Sequence, residues 1–162
     1  MVLETIHVGH KPVGIQQDDN GNVWVLCGGK GYNGWPAPGD TPGRLLCIQP
    51  STLSIEKEFI FPDTENHPEN LIINKEKNTL FYNFPTKIFA FPINGTALNE
   101  HAAITVEENI YGMGYNEEIS MIYVTYPLDF IQIGWIARFR EQDGAEVDSY
   151  LVGVAPNGFW FN

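Results

Sequence analysis

A repeated motif at the two ends of the chain restricts its fold more than any other feature. Near the start the sequence reads Val8-Gly9-His10-Lys11-Pro12-Val13-Gly14-Ile15, and near the end Val152-Gly153-Val154-Ala155-Pro156-Asn157-Gly158-Phe159. Both fit V-G-x-x-P-x-G followed by an apolar residue, with the same spacing, 144 residues apart. Weaker copies lie between them at His67-Pro68-Glu69-Asn70-Leu71 and Ile110-Tyr111-Gly112-Met113. With Pro12, Pro68, Ile110 and Pro156 as equivalent positions, the steps are 56, 42 and 46 residues, a mean period of 48. A single P-x-G is an ordinary turn. Two matching copies at a multiple of a period mark a repeated structural unit.

Each period carries four short segments. After the motif and a turn comes an aromatic strand: Val23-Trp24-Val25-Leu26, Leu80-Phe81-Tyr82 or Ile122-Tyr123-Val124. A third segment follows, at 45–48, 88–91 and 135–139, then a tight turn and a more polar fourth segment such as Ser54–Phe59. Four short strands in a period of this size are the signature of β-propeller blades. No apolar stripe of helical period with caps competes with that reading. Proline suits the first position of a strand, and the glycine two residues on lets neighbouring first strands crowd together. The expectation is therefore an all-β domain over 1–162 with about three four-stranded antiparallel blades, at 12–61, 68–107 and 110–152. Residues 2–8 and 156–162 read as strands of flanking blades, which makes the whole a partial propeller. Propellers close on themselves to hide strand edges, so either a larger propeller or pairing of two copies is expected.

Composition narrows the partners. Asp and Glu number 20 against 9 Lys and Arg, a net charge of -11. Such a surface repels phosphate backbones and anionic headgroups, which argues against nucleic-acid and membrane-surface binding. No apolar run is long enough for a membrane span, and Met1-Val2-Leu3-Glu4-Thr5 has neither the basic nor the apolar region of a signal peptide. Cys27 and Cys47 are too few for a disulfide framework. If their strands pair around the 28–43 loop, Cys27 opposes a residue near Arg44 and Cys47 one near Trp24. Free, buried thiols are expected.

In a four-stranded blade the loops joining second to third strands share a face with the connections between blades. Here those loops are long and aromatic. One, from Gly28 to Gly43, holds Tyr32, Asn33 and Trp35; another, Tyr126-Pro127-Leu128-Asp129-Phe130-Ile131-Gln132, lies in the last repeat, and Tyr111 sits in a connection. Tyr32, Asn33, Trp35, Tyr111, Tyr126, Asp129, Phe130 and Gln132 are the candidate binding residues, since rigid aromatics with a few amides suit a flat amphipathic ligand or a protein surface. Other patterns mislead. Gly29-Lys30-Gly31-Tyr32-Asn33-Gly34 matches G-x-G-x-x-G, but Trp35-Pro36-Ala37-Pro38 follows where a phosphate-binding helix must start. Asp18-Asp19-Asn20-Gly21-Asn22 has its glycine at the wrong place for a calcium loop and reads as a hairpin turn. His7, His10, His67 and His101 lack zinc-site spacing. No metal or catalytic residue is expected. The first-strand positions around Gln16, Ile72, Gly114 and Trp160 form no acidic ring of the kind propeller lactonases and lyases use, and no serine or cysteine has a nucleophile's setting.

The repeat, the strands Asn22–Leu26 and Met121–Thr125, and the closing Val152–Asn162 resemble the C-terminal half of YVTN-type, surface-layer-like β-propellers. More narrowly they are similar to a domain-of-unknown-function group of propellers common in gut Bacteroidetes, over residues 2–162. That group includes cobalamin-binding surface lipoproteins that pass corrinoids to an outer-membrane transporter. The resemblance implies a non-enzymatic binding module at the cell surface, part of a larger lipoprotein, with cobalamin as a possible ligand and no resident cofactor. A protein–protein or surface-layer scaffold is the alternative, with a propeller enzyme third.

Overall fold

The computed structural model describes residues 4–161, which form twelve strands and no helix. The strands are β1 (Pro12–Gln17), β2 (Val23–Cys27), β3 (Arg44–Gln49), β4 (Ser54–Ile60), β5 (Glu69–Ile73), β6 (Thr79–Phe84), β7 (Lys87–Pro92), β8 (Ile104–Thr105), β9 (Gly112–Asn116), β10 (Met121–Tyr126), β11 (Ile133–Arg140) and β12 (Glu146–Val154). They make three four-stranded sheets, β1-β2-β3-β4, β5-β6-β7-β8 and β9-β10-β11-β12, each antiparallel with every strand beside its sequence neighbour. The expected strand sets are thus present. The middle strands are the apolar ones because both of their faces are covered. Trp24, Leu26, Leu45 and Cys47 look one way and Val25, Cys27, Leu46 and Ile48 the other.

The sheets stack face to face. The first two enclose Trp24, Leu26, Leu45, Phe61, Leu71, Leu80, Tyr82 and Phe91. The second and third enclose Phe81, Ile88, Ile110, Ile122, Val124, Tyr126 and Phe139. At the inner edge β1 runs against β5, and β5 against β9. Glycine sets the first of these approaches and one more: a Cβ on Gly14 of β1 would lie 2.5 Å from Leu71 Cβ, and one on Gly114 of β9 would lie 2.7 Å from Phe159 Cδ2 in the C-terminal segment. The crowding expected of the P-x-G motif is therefore present at Gly14. A glycine at the start of the third segment repeats a second contact: Gly43, just before β3, backs onto Pro68, and Gly134 in β11 onto Pro156. Pro68 and Pro156, which begin the second and fourth repeats, thus occupy equivalent places.

The flanking strands expected at 2–8 and 156–162 are not formed among the described residues; Val2, Leu3 and Asn162 lie outside them. Residues 4–9 instead lay Ile6 and Val8 over the outer face of the first sheet, with Val8 O accepting from Cys27 Sγ at 3.3 Å. Residues 156–161 run beside β9, where Phe159 and Phe161 stack on each other and meet the Tyr123 ring. Neither segment is part of a β-ladder, and a strand is defined by its ladder.

Candidate functional site

The antiparallel order puts the β2–β3 loop, the β6–β7 turn, the β10–β11 loop and both inter-sheet connections at one end of the stack. The structure pins the first long loop at its base and leaves its rings out. Asn33 Oδ1 accepts the His67 N–H at 2.5 Å, and its amide donates to Glu69 Oε1 at 3.4 Å. Gly34 N–H donates to Glu65 O, while Tyr32 and Trp35 bridge each other through the Trp35 N–H. Both residues are 79% exposed. Beneath them His67 is fully buried. Its Nδ1–H donates to Gly28 O at 2.7 Å, and its Nε2 has no partner among the described residues. Gly31, at φ 136°, lies so close that a Cβ there would be 2.6 Å from that Nε2. Only glycine fits.

The second long loop is a carboxylate-centred turn. Asp129 Oδ1 accepts the N–H groups of Gln132 (2.8 Å) and Ile131 (3.0 Å), and Oδ2 accepts the Gln132 side-chain amide at 2.9 Å. Bonding to the Gln132 and Ile131 amides holds the Asp129 carboxyl down at about 2. The turn forces Leu128 and Phe130 into positive φ, 54° and 63°. Phe130 then stands half exposed and edge-on to Tyr111, with ring centres 5.1 Å apart.

Of the eight candidate residues, Tyr32, Trp35, Tyr111 and Phe130 present rings to solvent, while Asn33, Asp129 and Gln132 fix the loops that carry them. Tyr126 does neither. It is 5% exposed, in the core between the second and third sheets and edge-on to Trp135. The alternation Ile122, Val124, Tyr126 along β10 sends its side chain inward. Read as part of the strand rather than the loop, it would have been placed there from sequence.

The two loops are linked. From Asn33 a bond reaches Glu69; the next residue, Asn70, donates to Tyr111 O at 3.3 Å, and Tyr111 carries the Phe130 contact. Lys11 adds a cation 3.9 Å from Glu69 at the middle of this row. The row crosses all three sheets. On the opposite face the short Asp18–Asn22 turn is a hairpin turn, as read, and its acid is spent inside the fold. Asp18 accepts from the N–H groups of Asn20 and Asn22 and from Trp24 Nε1. The β2–β3 register pairs Cys27 with Arg44 and Cys47 with Trp24, and both thiols are free and buried. Burial pushes both thiol pKa values up. No group of three His, Cys, Asp or Glu side chains among the described residues is placed to hold a metal, and no helix there is long and apolar enough to cross a membrane.

Sequence reasoning passed over a concavity at this end of the stack. A groove of about 740 Å³ lies between β4 and the 84–89 and 98–100 segments, lined by Phe59, Phe61, Tyr82, Phe84, Phe89 and Leu98. The density of phenylalanine at 59, 61, 84 and 89 was the available signal.

No protein-family model and no curated protein matches the chain. Solved structures do resemble it in fold. Kuenenia stuttgartiensis hydrazine synthase superposes with a TM-score of 0.65 at 13% identity, covering 96% of this chain and 41% of that one. A functionally unknown protein from Desulfotomaculum acetoxidans DSM 771 gives 0.58 at 16% identity, covering 93% of this chain and 45% of its own. This chain therefore spans less than half the length of either, and the likeness is one of fold.

Proposed function

We propose that the three sheets are consecutive blades of a β-propeller and that the chain is a non-enzymatic binding module acting through its long-loop face. The observation that carries this reading is the pinned row from Trp35 to Phe130. Exposed rings are costly to leave in water, and rings on preorganised loops lose little entropy when a partner covers them. The repeated Gly43–Pro68 and Gly134–Pro156 contacts support the blade assignment. They also support reading residues 156–161 as the beginning of a fourth blade. The resemblance to surface-layer-like propellers extends the proposal to a bacterial surface lipoprotein, with a corrinoid as the most concrete ligand and an outer-membrane transporter as its recipient.

Equilibrium dialysis against cyanocobalamin, read by visible absorbance, tests it. Retained colour is expected, with Trp35→Ala and Phe130→Ala each weakening retention about tenfold, as for a buried aromatic anchor. Retention unaffected by both substitutions would place the ligand elsewhere. A colourless protein would discard the corrinoid. One observation favours a protein–protein scaffold as the second reading: Tyr150, Leu151 and Val154 along β12 are 50%, 72% and 53% exposed.

A further inference from the structure

The groove beside β4 exists because the second sheet is incomplete at its outer edge. β4 runs for seven residues, whereas β8 has only Ile104 and Thr105. Beyond Ile88, β7 therefore lacks a partner strand, and residues 93–103 loop across instead, with the Asn99 side-chain amide capping Ala90 O. The fourth-strand space that is left open lies over aromatic side chains. Phe61 meets Tyr82 at 5.3 Å and Phe84 at 5.4 Å, both edge-on; Phe89 stacks on Tyr82 at 5.7 Å and meets Phe84 edge-on at 5.6 Å. Phe61 and Tyr82 are buried and form the floor, while Phe59, Phe84 and Phe89 are half-buried walls. A cavity of this volume suits a small organic molecule.

The charge around the opening has a sign. Glu58, Asp63 and Glu100 line it against one cation, Lys87. Arg44 offsets Glu58 at 2.6 Å, and Asp63 Oδ1 accepts the N–H groups of Glu65 and Asn66. Glu100 is exposed in the 93–103 loop. Ring faces carry negative potential, and a carboxylate rim on a chain of net charge -11 adds to it.

We propose that this groove is a second binding site, separate from the aromatic rim, and that it takes small organic cations: an apolar or aromatic body with an ammonium head. The body fills the space left by the short β8 against Phe84, Phe89 and Leu98, and the head faces the ring π-faces and Glu100. Anions of the same size are repelled, and neutral analogues lose the cation–π and carboxylate attraction.

Amide NMR titration of the whole chain with benzyltrimethylammonium, benzyl alcohol and benzoate tests this. The cation is expected to shift the signals of residues 84–89 and 98–100 and to bind at least about fivefold more tightly than the alcohol, with benzoate not binding. Glu100→Lys, at an exposed loop position, is expected to weaken the cation by about the same factor while leaving the alcohol unchanged. Equal affinity for cation and alcohol overturns the proposal, as do binding of benzoate, shifts confined to the Trp35 or Phe130 loops, and an absence of shifts up to the solubility limit. Failure here is distinguishable from failure of the rim reading, because the rim's own test uses a different ligand and different substitutions.

Discussion

Asp18 shows how much a single turn residue can hold. It is 3% exposed, and its two oxygens take the N–H groups of Asn20 and Asn22, the Asn22 amide and the indole N–H of the fully buried Trp24. Removing the carboxylate leaves several donors unsatisfied, each costing about 1–3 kcal/mol when buried. Asp18→Ala is therefore expected to lower unfolding stability by about 3 kcal/mol, read from the urea midpoint, with Trp24→Phe costing less because it removes one donor along with its need. An equal loss for both would show that ring packing dominates. Arg138 is a second such residue. Its guanidinium pairs with Asp148 and lies between the Tyr123 and Tyr150 rings, 5.8 and 5.6 Å from their centres. Bonding to Arg138 holds the Asp148 carboxyl at about 2, against about 3.9 in an unfolded chain. The sign follows from proton binding. Between those values the unfolded state holds more protons, so the pair's contribution is complete above about pH 4 and is lost as the pH falls toward 2. The stability difference between wild type and Asp148→Asn is expected to shrink across that window; a difference constant from pH 6 to 2 would show that the pair contributes no titrating stabilisation.

Elements are placed by the glycines that let them touch. At Gly14 an added methyl meets Leu71 Cβ at 2.5 Å and its backbone N at 3.0 Å, neither of which can move without shifting β5. Gly153 sits near the end of β12 with nothing within 4 Å of the same atom. Gly14→Ala is expected to cost about 2–3 kcal/mol through overpacking, while Gly153→Ala changes stability by less than about 0.5 kcal/mol or raises it. Thermal unfolding of the pair checks this, and similar midpoints would mean that the inner strands are not tightly apposed. Strand identity was legible in the sequence because short apolar and aromatic segments between turns, and the P-x-G motif ahead of them, are local signals. The register that separates Cys27 from Cys47 followed from the loop length between them. What stayed hidden depends on more than one element. The His67 Nε2 that has no partner among the described residues, the row from Asn33 to Phe130 and the groove left by the short β8 each need two sheets in place before they exist. Tyr126 was misplaced for a local reason, since a tyrosine followed by proline reads equally as the end of a strand or the start of a loop.

At the scale of the whole molecule the question is what covers the two outer faces of the stack. The first sheet's outer face is closed by Ile6 and Val8, which leave Leu46 and Ile48 almost fully buried. On the third sheet's outer face Phe159 lies over Gly114, Phe159 and Phe161 meet Tyr123, and Pro156 backs onto Gly134. Further out, β12 is an edge strand of nine residues, the longest in the chain, with Val147, Tyr150, Leu151 and Val154 exposed. Long apolar edges pair with whatever strand they meet unless charge or a bulge prevents it. Glu146 and Asp148 supply charge here and β12 bulges near 147 and 152–153, but Asp148 is spent on Arg138 and the regular stretch between the bulges leaves Tyr150 and Leu151 exposed. The expected outcome for this chain alone is therefore self-association through the third sheet, with light scattering behind size-exclusion chromatography giving twice 18.2 kDa. Leu151→Glu, which sets a charge on the exposed strand without entering a core cluster, is expected to restore the monomer. A monomer at every concentration would mean that the Arg138–Asp148 network and the 157–161 rings shield this edge well enough by themselves. A dimer insensitive to Leu151→Glu would move the interface to another face of the molecule.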